Sequence, residues 1–489
     1  MSTRSRNASS PRAWFAQLAA GSLFLMLVGC GSSNDSDPPP GLSATPQGTV
    51  EVIHASSDAP PVKVLFNGSE TITDLDYKAV AIGQYDTGDI AVRVNGVLPG
   101  GSEATVIPAS GDDPVVTLDE GTRLSVIALG DLGDIAPLVL TDDTPAVAAD
   151  TVRLRVVHAA PAVPQAGDTA VEVWLTEPGA DLTNPPSGTV NAVFSFGEVL
   201  AGGAIEVPAG TYQIRATPPM TPGTVVYDSG EVTLDGGSNL LVVAVPDTNA
   251  ASSSPISLIV TNGASASELI DTDTLSNVRV VHASADAPAV DILVDGQPSP
   301  VQGLDFLDVA GPVPLTPGAT DLAVAASPYA AGDPSVLETT ADLARGTATT
   351  VLAVGSLSLD PSQPLDALLL QDVTRSIATE AQVRIVHASV IAGPVDIYVL
   401  PEGTLTAVDP VPADADPAFA DVPFKADTGY VGLADGRYDI AVTSAGSKDV
   451  AIGPLLSVPF TAGSVSTVIA VDAPGLGPNP SVLQLNDVL

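Results

Sequence analysis

The sequence predicts an all-β fold: four tandem immunoglobulin-like antiparallel β-sandwich domains behind a short N-terminal address segment. Three observations predict it. Apolar residues make up 45% of the chain but aromatics only 4%, so the hydrophobicity comes from Val, Ala, Leu and Ile. The 44 Gly and 44 Pro are spread along the chain, which is the punctuation of many short strands joined by tight turns, and Pro interrupts most candidate helices. Lastly, two local signatures recur in fixed order four times, and internal repetition is the strongest guide to architecture in a chain of 489 residues.

The first signature surrounds the four histidines of the chain: Val52-Ile53-His54-Ala55, Val156-Val157-His158-Ala159, Val280-Val281-His282-Ala283 and Ile385-Val386-His387-Ala388. A polar or Pro-rich turn follows, then a second β-rich run: Val62-Lys63-Val64, Val171-Glu172-Val173, Val290-Asp291-Ile292 and Val395-Asp396-Ile397. The second signature places Val five and Ala seven residues after a Gly, at Gly121/Val126/Ala128, Gly237/Val242/Ala244, Gly346/Val351/Ala353 and Gly463/Val468/Ala470. A last apolar run closes each copy. Copies therefore occupy 49–143, 151–263, 275–375 and 381–489, with short Thr/Asp/Ala/Ser-rich linkers. Each has room for seven or eight strands and a core of its own. The sequence thus predicts beads on a string, with a small barrel as the structural rival to the sandwich.

Residues 1–29 have the layout of a secretory signal: a basic start, the apolar run Leu23-Phe24-Leu25-Met26-Leu27-Val28, and a small residue before the cut. The segment ends in Leu27-Val28-Gly29-Cys30 and resembles the lipobox of bacterial lipoproteins, in which the Cys is acylated and becomes the new N-terminus. Cys30 is the one cysteine of the chain, so no intrachain disulfide supports the domains. Residues 30–48 read as a lipidated flexible tether. In the lipoprotein resemblance, Gly31 in place of Asp implies the outer membrane where two membranes exist.

The formal net charge is −40. Arg4, Arg6 and Arg12 precede Cys30 and no acid does, so the mature chain is more acidic still. Such a surface repels nucleic acid and anionic headgroups. The membrane is therefore expected as a partner through the lipid anchor only. No cofactor is expected, and no P-loop, G-x-G-x-x-G, G-x-S-x-G or H-E-x-x-H pattern is present.

The copies form an alignment within one chain. Three residues before each histidine stand Glu51, Arg155, Arg279 and Arg384, and in the second runs stand Lys63, Glu172, Asp291 and Asp396. The signs oppose in every copy, reversed in the first. That pattern predicts a solvent-face ion pair across an antiparallel hairpin. Strand alternation then turns His54, His158, His282 and His387 inward beside the turn. Four roles are open to these imidazoles: a structural bond to a turn carbonyl, a metal ligand, a catalytic base or a ligand contact. The first needs no further group, whereas a metal site wants three or four ligands and a base wants a recurring nucleophile. Weak Ca²⁺ candidates are Asp271 and Asp273, and Asp414 and Asp416 with Asp421. Leu65, Trp174, Leu293 and Tyr398, one residue past the second runs, form a recurrent outward position. It serves either as packing under a loop or as a repeated partner contact.

With these residues in view, the repeats resemble the bacterial family called domain of unknown function 4397, whose members open with a V-R-V-V-H-A-S-P-D-A-P-x-V-D-V-Y-V-D-G type stretch. Val278 to Gly296 reads V-R-V-V-H-A-S-A-D-A-P-A-V-D-I-L-V-D-G, and Val383-Arg-Ile-Val-His-Ala-Ser389 follows it. Copy one departs at the charged pair, and copy two has a longer turn. The resemblance implies an exported bacterial surface protein with no settled activity and no functional residues to carry over. The expectation is a non-enzymatic envelope lipoprotein whose repeats bind an envelope component, a matrix polymer or a protein. The alternatives are a structural spacer and, behind it, a hydrolase or metal-dependent enzyme.

Overall fold

The computed structural model describes residues 45–143, 145–161, 170–358, 360–473 and 481–488. The expected signal segment, Cys30 and most of the expected tether lie outside them, as does most of the long turn of copy two. The described residues contain 34 strands, two 3-10 turns and no α-helix, and no helix among them is long and apolar enough to cross a membrane.

Each copy is a two-sheet sandwich. In copy three, one sheet has the order Val309–Leu315, Ser276–His282, Ala348–Val354, Asp366–Asp372, and the other the order Gln297–Pro298, Val290–Val294, Gly318–Ala326, Ser335–Leu343. Copies one, two and four repeat this plan. The core lies between the sheets: Val278, Val280 and Val351 from one meet Val290, Ile292 and Val324 from the other. Copies one and two have nine strands and copies three and four have eight. Copy two extends past its expected end with the strand Ala266–Leu269.

The opening unit is not a hairpin. Ser276–His282 and Val290–Val294 belong to different sheets, so the turn between them carries the chain across the sandwich. The opening strand instead runs parallel, in every copy, to the strand that carries the second signature, as in Arg279 opposite Thr350 and Arg384 opposite Thr467. The equivalents are Glu51 opposite Ser125 and Arg155 opposite Leu241. One parallel ladder thus interrupts each otherwise antiparallel sandwich.

The bead expectation is also corrected, because residues 45–489 form a single compact unit. The outer faces of the first sheets are apolar and pack against each other. Ile53, Ala55, Ile127 and Leu129 of copy one join Val157, Leu241, Val243 and Ile259 of copy two. Val281, Leu352 and Val354 of copy three join Val386, Ile469 and Val471 of copy four. These side chains are at most 7% exposed, so the copies are locked in two face-to-face pairs. The segment joining copies three and four docks on copy one: Arg375 donates to Ser57 O and Ala59 O and pairs with Asp76, and Ala378 N donates to Asp58 O. Ala250 N donating to Gly346 O ties copy two to copy three.

Candidate functional site

The histidines stand at the ends of the opening strands, and in copies one, three and four the turn residues that follow wrap over the ring. His54 Nε2 bonds Pro60 O at 3.1 Å while its Nδ1 accepts from Ser56 N at 3.3 Å. His282 does the same with Pro288 O and Ser284 N, and His387 with Gly393 O and Ser389 N. An imidazole that gives one proton to a carbonyl and takes one from an amide is neutral and fixed in one tautomer. Burial holds His54 below its ordinary pKa, aided by the Arg375 guanidinium, and burial does the same for His387. His158 is likewise buried.

The rings of His54, His282 and His387 therefore pin the crossing turn. Edge-on aromatics cover them: Tyr77 on His54, Phe306 on His282 and Phe424 on His387, with centroids 6.2–6.3 Å apart. The next residue adopts positive φ and returns its N–H to the histidine carbonyl (Lys78, Leu307 and Lys425). This aromatic recurs as Asp76-Tyr77, Ser195-Phe196, Asp305-Phe306 and Pro423-Phe424, a signal that was open to sequence reading. Because the folded pKa of His54 and His387 lies below the unfolded value, their contribution is present above about pH 6.5 and lost as pH falls through the folded pKa. The unfolding free energy of the wild type should therefore fall between about pH 7.5 and 5 more than that of a His54→Gln/His387→Gln double variant. Parallel profiles in urea titrations would refute this.

The expected ion pairs do not form, for a topological reason: their members stand on different sheets. Asp291 instead accepts from Gly303 N at 2.6 Å and Tyr329 N at 2.8 Å. Asp396 accepts from Asp421 N and Gly446 N, each at 2.8 Å. Glu172 accepts from Asn191 and from Met220 N. In copies two, three and four the acid on the second strand thus ties together the segments on either side of it. In copy one Lys63 pairs with Glu70 and Glu103 at the surface.

The arginines do not face solvent, since alternation sets them on the same side as the interdomain residues Val281 and Val386. Arg279 reaches Asp372 at 3.2 Å and Asp487 at 2.6 Å, and Arg384 reaches Asp372 at 2.5 Å. Thr350 and Thr467 support the two acids, each at 2.6 Å. Arg279 donates to Asn486 O of copy four, and Arg384 donates to Gln371 O of copy three, so the network has local twofold character. Burial raises the Asp372 pKa, with Thr350 and the two guanidiniums opposing.

In the other pair the same place is rebuilt. Glu51 accepts from Ser125 and, across the interface, from Thr261. Arg123 pairs with Asp142 at 3.1 Å and lies 3.8 Å from Glu51. Gly263 of copy two stands where copies one, three and four carry Asp142, Asp372 and Asp487. A Cβ there would meet the Arg123 side chain at 2.9 Å. The reversed sign of Glu51 is therefore matched by Arg123 and Gly263 rather than by Lys63. The signal was present in the sequence, because the last strands of copies one, three and four end in Leu-Thr-Asp142, Leu-Gln-Asp372 and Leu-Asn-Asp487.

The recurrent outward position is buried as well. Trp174, Leu293 and Tyr398 are 6%, 4% and 1% exposed, and Leu65 is half-buried. Tyr398 packs with Leu405 and Val411 beneath a loop, and Lys448 lies 4.7 Å over its ring. This corrects the partner-contact expectation, since loops roof the second sheet where a ligand would have to reach. Among the Ca²⁺ candidates, Asp271 is buried and accepts from Asp228 N and Asp273 N, so its oxygens cap a turn. Asp273, Asp414, Asp416 and Asp421 are exposed. Among the described residues no three His, Cys, Asp or Glu side chains gather as a metal site.

The model of the family described as "Domain of unknown function (DUF4397)" matches residues 48–166 and 276–398. These two stretches are similar to DUF4397 domains. Each match begins at an opening strand, spans a whole copy and ends in the next, so the two matches start in the first members of the two face-to-face pairs. No curated protein matches the sequence. Among solved structures, a "putative adhesin" from Bacteroides ovatus is similar at 11% identity and a TM-score of 0.14, over 46% of this chain and 94% of that one. The multi-modular glycogen-degrading pneumococcal virulence factor SpuA is similar at 10% identity and a TM-score of 0.13, over 59% of this chain and 37% of that one. Copies one, three and four share the histidine-pinned turn, and all four share the apolar outer sheet face.

Proposed function

We propose that this chain is a non-enzymatic, lipid-anchored protein of the cell envelope, on the outer membrane where there are two, that acts as a rigid scaffold standing off the membrane. The observation that carries the reading is the pairing of the sandwiches. Faces that a freely jointed string of domains would show to water are spent on two apolar interfaces and two buried ionic networks. The histidines support a non-catalytic role, because both ring nitrogens of His54, His282 and His387 are committed to backbone groups. Binding of an envelope component, matrix polymer or protein partner is a second reading, and the interior of copy two favours it.

Two measurements test the scaffold. Mass spectrometry of the exported protein should find diacylglycerol on Cys30, and a Cys30→Ser variant should leave the membrane fraction with its repeats folded. Small-angle scattering of the repeats should give one particle size between about 0.05 and 1 M salt, since buried contacts are little screened. An unmodified N-terminus would remove the anchor, and a size that changes with salt would remove the rigidity.

A further inference from the structure

Copy two differs from its siblings inside the sandwich. A cavity of about 440 Å³ lies between its sheets, walled by apolar side chains that include Val156, Val173, Ala192, Leu240 and Val260. The same space in copy four holds about 30 Å³. The wall positions show the difference. Val156 and Val173 are partly exposed, whereas their counterparts Val52, Val280 and Ile385, and Val64, Ile292 and Ile397, are all at most 6% exposed.

The cause is local. The edge strand beside the opening strand is four residues long in copy two, Ile205–Pro208, against seven in Val80–Asp86, Val309–Leu315 and Asp427–Leu433. A short edge leaves that flank of the core without its closing row of side chains. Polar lining residues cluster in two turns at one end, Asp235 and Ser238 in one, Asn262 and Ser265 in the other.

We propose that copy two is a binding site for an elongated hydrophobic molecule with an uncharged polar head, such as a long-chain alcohol or monoacylglycerol. The volume falls within the roughly 300–1,000 Å³ of ligand pockets. An apolar space of this kind is costly to leave empty and gains stability when filled. The hydroxyl and carboxamide groups at the polar end suit a neutral head. Asp235 and a chain of net charge −40 disfavour a carboxylate. The inference stands apart from the scaffold reading and needs no lipid anchor.

The test uses the whole exported chain and the uncharged dye N-phenyl-1-naphthylamine, with Trp174 as the one tryptophan of the repeats. The dye should bind once per chain and quench or shift Trp174 emission. 1-Dodecanol should displace it at a concentration at least about tenfold below laurate at pH 8. Ala192→Phe fills the cavity and should cut dye affinity at least about tenfold while leaving the melting temperature unchanged or raised. Val156→Phe gives a second filling should the first variant fail to fold. Absence of dye uptake, or equal uptake by a folded cavity-filled variant, overturns the site. Equal displacement by laurate overturns the uncharged-head assignment.

Discussion

Replacing Arg384 by Met should lower the unfolding free energy of the paired copies three and four by about 3–5 kcal/mol, the usual cost of removing one partner from a buried ionic network. Arg384 is 2% exposed and serves Asp372, Thr467 and Gln371 O at once. Its loss leaves a buried carboxylate with one guanidinium fewer and a carbonyl without its donor, and a methionine supplies none of these bonds. Arg437→Met is the control: its pair with Glu402 is half exposed on both sides and should change stability by less than about 1 kcal/mol. Urea titrations of the three proteins decide the matter. Equal midpoints for Arg384→Met and Arg437→Met would show that the network contributes nothing.

Trp174→Ala should destabilise copy two by about 3–5 kcal/mol, as expected for truncating a buried indole. The ring is 6% exposed and its N–H donates to Thr217 Oγ1 at 3.1 Å, so the variant loses packing and strands a hydroxyl. Read as a surface contact, the same residue predicts the opposite pattern: unchanged stability and lost partner recovery. Calorimetry on the whole chain separates the two, and a melting transition of copy two that does not move would restore the surface role.

The strand content and the fourfold repetition were legible in the sequence because each rests on local rules: turn residues, period-two alternation and recurring signatures. The pairing of strands was not. Opposite signs at Arg279 and Asp291 look like neighbours on one sheet, yet each answers a separate demand, the arginine an interdomain acid and the aspartate two loop amides. Nothing local distinguishes a hairpin turn from one that crosses a sandwich. The interdomain faces left a trace that solvent-face reasoning overrode. Val280-Val281 and Val351-Leu352-Ala353-Val354 are continuous apolar runs, and a strand without polar alternation is covered on both sides. Trp174 and Tyr398 follow the packing reading of the recurrent position, and the loops that cover them differ from copy to copy.

The charge exchange at Glu51 has a consequence for assembly. Four sibling domains with near-identical sticky faces invite wrong couplings while the chain folds. Were copy one to couple with copy four, Glu51 would take the place of Arg279 and confront Asp487, setting anion on anion. Were copy two to couple with copy three, Arg279 would find Gly263 in place of Asp487 and keep only Asp372 of its own copy. The inverted sign at Glu51 therefore disfavours the coupling of copy one with copy four relative to the observed pairs.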